Sequence, residues 1–118
     1  MKIQVETVRG VPVAVVEAVQ ISGVQSALEL LMSVRYETGC DRVALPKQAL
    51  PPEFFQLRTG LAGEILQKFV NYQMKLAIWG MDSSCASAPL RDFIRESNRG
   101  RHVFFVTTRA EALERLGK

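Results

Sequence analysis

Residues 22–45 read SGVQSALELLMSVRYETGCDRVAL, and the hydrophobic period changes once within them. Ser22 and Gln25 have the spacing of a capping box. Val24, Leu28, Leu31 and Val34 then recur three or four positions apart, which puts them on one face of a helix running to about Glu37. Gly39 supplies the left-handed residue that closes such a helix. Asp41 to Leu45 follows as a short strand, with Val43, Ala44 and Leu45 together, stopped at Pro46 because proline has no N–H to extend a ladder. A helix handed directly to a buried strand is half of a βαβ unit, and the flanking sequence decides whether the unit repeats.

On the amino-terminal side, Lys2–Thr7 and Val11–Val16 are rich in Val and Ile and flank Arg9-Gly10, so they read as a β-hairpin. Pro12 is expected at the start of the second strand, leaving Val13–Val16 as the paired portion, and four small apolar residues in a row indicate burial on both faces. On the other side, Pro51-Pro52-Glu53-Phe54-Phe55 reads as a turn into a short helical or irregular piece. Thr59 then opens a second helix carrying Leu61, Ile65, Phe69 and Tyr72 on one face. Lys75–Trp79 is a strand, Gly80–Ala88 a loop of small polar residues, and Pro89 suits the first turn of a third helix. That helix carries Leu90, Phe93, Ile94 and Ser97 inward and ends at Gly100. His102–Val106 is the last strand, and Thr108 with Glu111 caps a short terminal helix marked by Leu113 and Leu116. The order predicts one α/β domain over residues 1–118, with an N-terminal hairpin and a mixed, mostly parallel sheet. The strands at Val43, Leu76 and Val103 should run parallel, because each is joined to the next by a helical crossover.

Composition narrows the functional classes. A chain of 118 residues with 47% hydrophobic and 23% charged residues is an ordinary globular mixture. The longest charge-free stretch, Ala18–Leu28, contains four polar side chains and is too short to cross a bilayer, so no membrane span is expected. The start lacks the apolar core of a signal peptide, which points to the cytoplasm. Two cysteines and one histidine exclude a disulfide framework and leave no expected metal site. A formal charge of +3 is too mild to argue for nucleic acid.

The stretches Thr59-Gly60-Leu61-Ala62-Gly63-Glu64-Ile65-Leu66-Gln67-Lys68-Phe69-Val70-Asn71-Tyr72 and Leu90-Arg91-Asp92-Phe93-Ile94-Arg95-Glu96-Ser97-Asn98-Arg99-Gly100 resemble a bacterial family known as domain of unknown function 4180. The resemblance covers nearly the whole chain and brings no established activity. More distantly, the element order and the Thr59-Gly60-Leu61 entry to the second helix resemble STAS domains, the sulfate-transporter and anti-sigma-factor-antagonist group, which are binding modules. Members of that group commonly carry Asp-Ser-Ser/Thr-Gly-Leu at this point, the Ser after the Asp being the phosphorylated switch. Leu57 and Arg58 stand at the Asp and switch positions here, so the resemblance implies the fold without the phosphoswitch.

Thr59-Gly60 at a helix start offers backbone N–H groups to an anion, but no lysine follows the glycine and no Gly-rich loop of P-loop length precedes it, so Thr59 reads as a plain helix cap. Gly63 lies within the apolar period of the second helix, where close helix packing accounts for it. Arg91, Arg95 and Arg99 recur every four residues, with Arg101 and His102 beyond, as the one basic concentration in the sequence. Asp92 and Glu96 precede Arg95 and Arg99 by three, so a solvated face of ion pairs competes with a partner site. His102 has no nucleophile at motif spacing and reads as structural. Cys85 has no Lys or Arg within five residues to activate it, and Cys40 reads as buried. Asp82, Ser83 and Ser84 lie in a loop after a strand, where open α/β sheets place ligands, although turn chemistry explains them too. Phe54, Phe55 and Trp79 read as core or rim aromatics.

These features give a non-enzymatic, STAS-like protein-interaction or regulatory module. Its expected surface is Arg58, Thr59 and Gly60 with Arg91, Arg95 and Arg99, and its partner is an unidentified protein or a second copy in a homodimer. The alternative is a small-molecule or nucleotide-binding protein, or a minor enzyme, using Asp82, Ser83 and Ser84 in the 80–88 loop. No cofactor is expected.

Overall fold

Arg9 and Gly10 both take positive φ, 52° and 80°, as a two-residue hairpin turn requires. They join β1 (Gln4–Val8) to β2 (Val11–Val15) in antiparallel register, Val8 opposite Val11 and Thr7 opposite Pro12. Pro12 therefore lies within the strand, not at its start. Because Val8 and Val11 close the hairpin, Thr7 and Pro12 form a non-hydrogen-bonded pair, and the proline nitrogen turns to the side where β2 meets β3 only from Ala14 onward.

The computed structural model describes residues 2–82 and 87–118. After the hairpin come α1 (Val24–Thr38), β3 (Arg42–Pro46), α2 (Leu61–Asn71), β4 (Lys75–Trp79), α3 (Ala88–Arg99), β5 (Val103–Phe105) and α4 (Arg109–Leu116). The sheet runs β1-β2-β3-β4-β5 in spatial order, and β2 to β5 are mutually parallel, as the helical crossovers predict. Each crossover moves the chain one strand in the same direction. Right-handed connections then put α1, α2 and α3 on one face of the sheet and leave the other to α4.

The core divides accordingly. Ala14, Val16, Val43, Leu45, Leu76, Ile78 and Phe105 pack with Leu31, Val34, Ile65 and Phe69 of α1 and α2, and the half-buried Phe93 and Ile94 of α3 join them. Val13, Val15, Ala44, Ala77 and Phe104 face Ala112 and Leu116 of α4. Val13 to Val16 are each at most 1% exposed, so β2 is buried on both faces. On the α4 side, Ala44, Ala77 and Ala112 are small and fully buried. This lets an eight-residue helix sit close to the central strands, where a larger residue would overpack.

Several local expectations need correction. The cap of α1 is Gly23, with Ser26 Oγ accepting from the Gly23 and Ser22 N–H groups; the hydroxyl three residues after the cap does the work that Gln25 was expected to do. Gly39 closes α1 in the left-handed conformation, φ 72°, as expected. Tyr72 is the C-cap of α2 and is 37% exposed, because the helix ends before the side chain can turn inward. Thr108 is the cap of α4 and accepts from Glu111 N–H, as expected, but the reciprocal contact of a capping box is replaced by one between side chains, the Thr108 hydroxyl donating to the Glu111 carboxylate.

β5 is a three-residue edge strand, and edges leave backbone groups open. Asn98 of α3 covers this one: its Oδ1 accepts from Phe105 N–H at 2.7 Å and its Nδ2 donates to Phe105 O at 3.0 Å. One carboxamide thus stands in for a sixth strand.

Candidate functional site

β3 ends at Pro46, and the thirteen residues 47–59 before Gly60 contain Pro51 and Pro52, which are incompatible with a long α-helix. The chain folds instead into three 3₁₀ turns at Lys47–Ala49, Pro52–Phe55 and Leu57–Thr59. Ala49, Leu50 and Phe54 are buried and anchor this segment. Phe54 meets Phe55 edge-on, centroids 5.0 Å apart, and lies 6.4 Å from Phe105. The loop before α1 braces it from behind: Ile21 N–H donates to Ala49 O and Gln20 Nε2 to Gln48 O. These contacts make Phe54 core and Phe55 rim.

Beyond β4 the chain turns at Gly80, whose φ of 90° suits glycine, and Gly80 and Met81 N–H donate to the carbonyls of Thr107 and Val106. Between the 3₁₀ segment, this turn and the start of α3 lies a pocket of about 650 Å³. It opens at the C-terminal ends of β3 and β4, the edge where parallel sheets bind ligands. Leu50, Met81 and Leu90 are buried at its base, and Phe55 is half-buried beside them. Lys47, Gln48, Gln56, Asp82 and Ser87 are exposed around them. The Lys47 ammonium stands 5.5 Å from the Phe55 ring centroid, in cation–π range. Ser87 Oγ accepts from Leu90 N–H and caps α3. An apolar base with a cation, a carboxylate, two carboxamides and a hydroxyl around it suits a small polar organic ligand. Among the described residues no three His, Cys, Asp or Glu side chains are grouped to hold a metal.

Of the loop residues singled out in the sequence, Asp82 lines this pocket; Ser83, Ser84 and Cys85 lie outside the described residues. Arg58, Thr59 and Gly60 are all exposed at the entry to α2. Thr59 is not the helix cap. Gly60, in the left-handed conformation, takes that position. The Thr59 hydroxyl donates toward Glu53 O at 2.9 Å and Gln56 O at 2.8 Å and accepts from Leu61 N–H at 3.2 Å, bracing the last two 3₁₀ turns against the helix. Gly63 is exposed and a Cβ there would meet nothing within 4 Å, so helix packing does not explain it.

Arg91, Arg95 and Arg99 form an exposed face of α3, but the last two are spoken for. Arg95 pairs with Asp92 at 3.4 Å and Arg99 with Glu96 at 3.9 Å, all four side chains well exposed. Such pairs contribute little to stability and lower the free positive charge of the face. His102 is exposed just before β5, and its carbonyl accepts from Leu76 N–H. Cys40 is buried.

The family model described as domain of unknown function (DUF4180) matches residues 8–116. The chain belongs to the DUF4180 family. The match begins at the last residue of β1 and ends at the last of α4, so both the pocket and the entry to α2 are parts of the DUF4180 domain. No curated protein and no solved structure matches the chain. No helix among the described residues is long and apolar enough to cross a membrane.

Proposed function

We propose that this DUF4180 domain is a STAS-like, non-enzymatic binding module that takes a small polar organic molecule at the C-terminal edge of its parallel sheet. The observation that carries the reading is the pocket of about 650 Å³ bounded by Lys47, Gln56, Met81, Asp82 and Leu90. Its size is within the range of small-molecule sites, and its polar groups come from three separate segments, enough to fix a ligand's orientation. The STAS-like element order supports a binding role only as an analogy of fold.

The test is native mass spectrometry of the full chain purified from its own host. A retained mass, lost in a Gln48→Trp/Gln56→Trp variant that fills the pocket mouth, supports the reading. A clean unliganded mass, with no ligand recovered from host metabolites, counts against it.

A protein partner at the entry to α2 is the second reading, favoured by the exposure of Arg58, Thr59 and Gly60 together with the open position of Gly63. Glycine inside a helix costs stability, and a partner backbone approaching closely would account for it. On that reading the partner is another protein or a second copy of the chain. It would be lost on Arg58→Glu and untouched by the pocket variant.

A further inference from the structure

We propose a second binding site, for the phosphate groups of a small molecule, in the hollow at the N-terminal ends of β4 and β5. This hollow, of about 460 Å³, is lined by Lys75, Gly100, Arg101, Phe104, Arg115 and Lys118. Lys75 opens β4, Gly100 and Arg101 form the turn into β5, and Arg115 and Lys118 lie at the end of the chain. Four cations from three places in the sequence thus share one concavity with no acidic residue in its lining.

Among the described residues, the carboxylates pair with Arg9, Arg42, Arg95, Arg99 and Arg109 and with none of these four cations. The contrast with α3 is direct, because Arg95 and Arg99 are balanced by carboxylates three residues back and the hollow's cations are not. The hollow is also built to stay open. The Arg115 guanidinium lies 4.5 Å from the Phe104 ring centroid and donates to Asn98 O at 2.6 Å. Asn98 is itself clamped to Phe105. Beside it, the Arg42 guanidinium donates to the main-chain oxygens of Leu116 and Lys118 and so ties the segment after α4 to β3, which draws the main-chain oxygen of Lys118 toward Arg42.

Clustered like charges fixed in a concavity attract a multivalent anion. Phosphate matches arginine and lysine together: it accepts several charge-assisted hydrogen bonds and carries up to two negative charges. A single hollow of about 460 Å³ suits a compact ligand better than a polymer, which would need an extended basic stripe. This site lies at the opposite end of the strands from the Lys47 pocket, so either can fail without touching the other.

The experiment is a titration of the full chain with inorganic pyrophosphate, followed by ¹H–¹⁵N NMR. Saturable shifts at Lys75, Gly100, Arg101, Phe104, Arg115 and Lys118 are expected. The exposed double variant Arg101→Gln/Lys118→Gln should weaken binding by about tenfold or more while leaving the thermal midpoint unchanged. Shifts that do not saturate by about 10 mM, shifts centred on Arg91, Arg95 and Arg99, or unchanged affinity in the double variant would overturn the proposal. So would a single-stranded oligonucleotide that binds this face and is not displaced by pyrophosphate, since the partner would then be a nucleic acid.

Discussion

Replacing Asn98 tests whether one side chain secures the edge of the sheet. Its carboxamide supplies both an acceptor and a donor to Phe105, at 2.7 and 3.0 Å, and Phe105 is 3% exposed. A hydrogen bond contributes about 0.5–1.5 kcal/mol net, and stranding a buried backbone group costs about 1–3 kcal/mol. Asn98→Ala should therefore destabilise the protein by about 2–3 kcal/mol, combining two lost bonds with partial access of water to the opened edge. For a domain of this size that is a fall of roughly 6–12 °C in thermal midpoint. Asn98→Asp keeps the acceptor for Phe105 N–H but sets a second carboxylate oxygen against Phe105 O. It should be about as destabilised at neutral pH and recover part of the loss in acid, where a protonated carboxyl can donate. Urea unfolding followed by circular dichroism at two pH values measures both. An Asn98→Ala change within about 0.5 kcal/mol of the parent, or an Asn98→Asp variant indifferent to pH, would refute the edge-clamp reasoning.

Other substitutions probe single contacts. Gly117→Ala would place a Cβ 2.4 Å from Val8 Cγ1 and 2.8 Å from Val8 Cβ, and because the Val8 Cβ itself is too close, rotating that side chain does not relieve the clash, so a loss of about 1–3 kcal/mol is expected in the same assay. Gly63→Ala meets open space and should stabilise by about 0.4–1 kcal/mol; a loss of stability would show a constraint that the fold does not reveal. Thr59→Ala removes the hydroxyl that joins Glu53, Gln56 and Leu61 and should cost about 1 kcal/mol, most of it kept by Thr59→Ser. A phosphate on Thr59 would lose the O–H donor and face two carbonyl oxygens, so phosphopeptide mass spectrometry of host-purified protein should find the residue unmodified. Arg91→Glu with Arg95→Glu should leave the unfolding midpoint close to the parent's, because both side chains are exposed.

The fold was legible where the hydrophobic period is clean. The switch from helix to strand across Gly39, the apolar run Val13–Val16 and the cap at Thr108 each depend on near neighbours, and near neighbours are what a sequence displays. The segment 47–59 was not legible, because 3₁₀ turns follow no hydrophobic period and are held here by distant contacts with Gln20, Ile21 and Phe105. Thr59 has the residue type of a cap and the sequence spacing of one, but the left-handed Gly60 takes the position and turns the threonine into a brace. Asn98 gave no sign of its role, since its partner is set by how α3 lies along β5. Of the candidate residues, Asp82 lies on the pocket at the C-terminal ends of β3 and β4, whereas Lys47 and Gln56, which line it too, were not singled out. The basic hollow escaped notice for the same reason: Lys75 and Lys118 are 43 residues apart in the chain and come together only in the sheet. The evenly spaced arginines of α3 were conspicuous in sequence, and ion pairing within the helix uses up two of their charges.

The most direct test of the central claim is a ¹H–¹⁵N NMR titration of the full chain with small-molecule extract from its own host. Binding at the C-terminal edge predicts shifts gathered on Lys47, Gln48, Gln56, Gly80, Met81, Asp82 and Leu90 and abolished by Gln48→Trp/Gln56→Trp. Shifts confined to Arg58–Gly63, or a spectrum unchanged by every fraction of the extract, would contradict it.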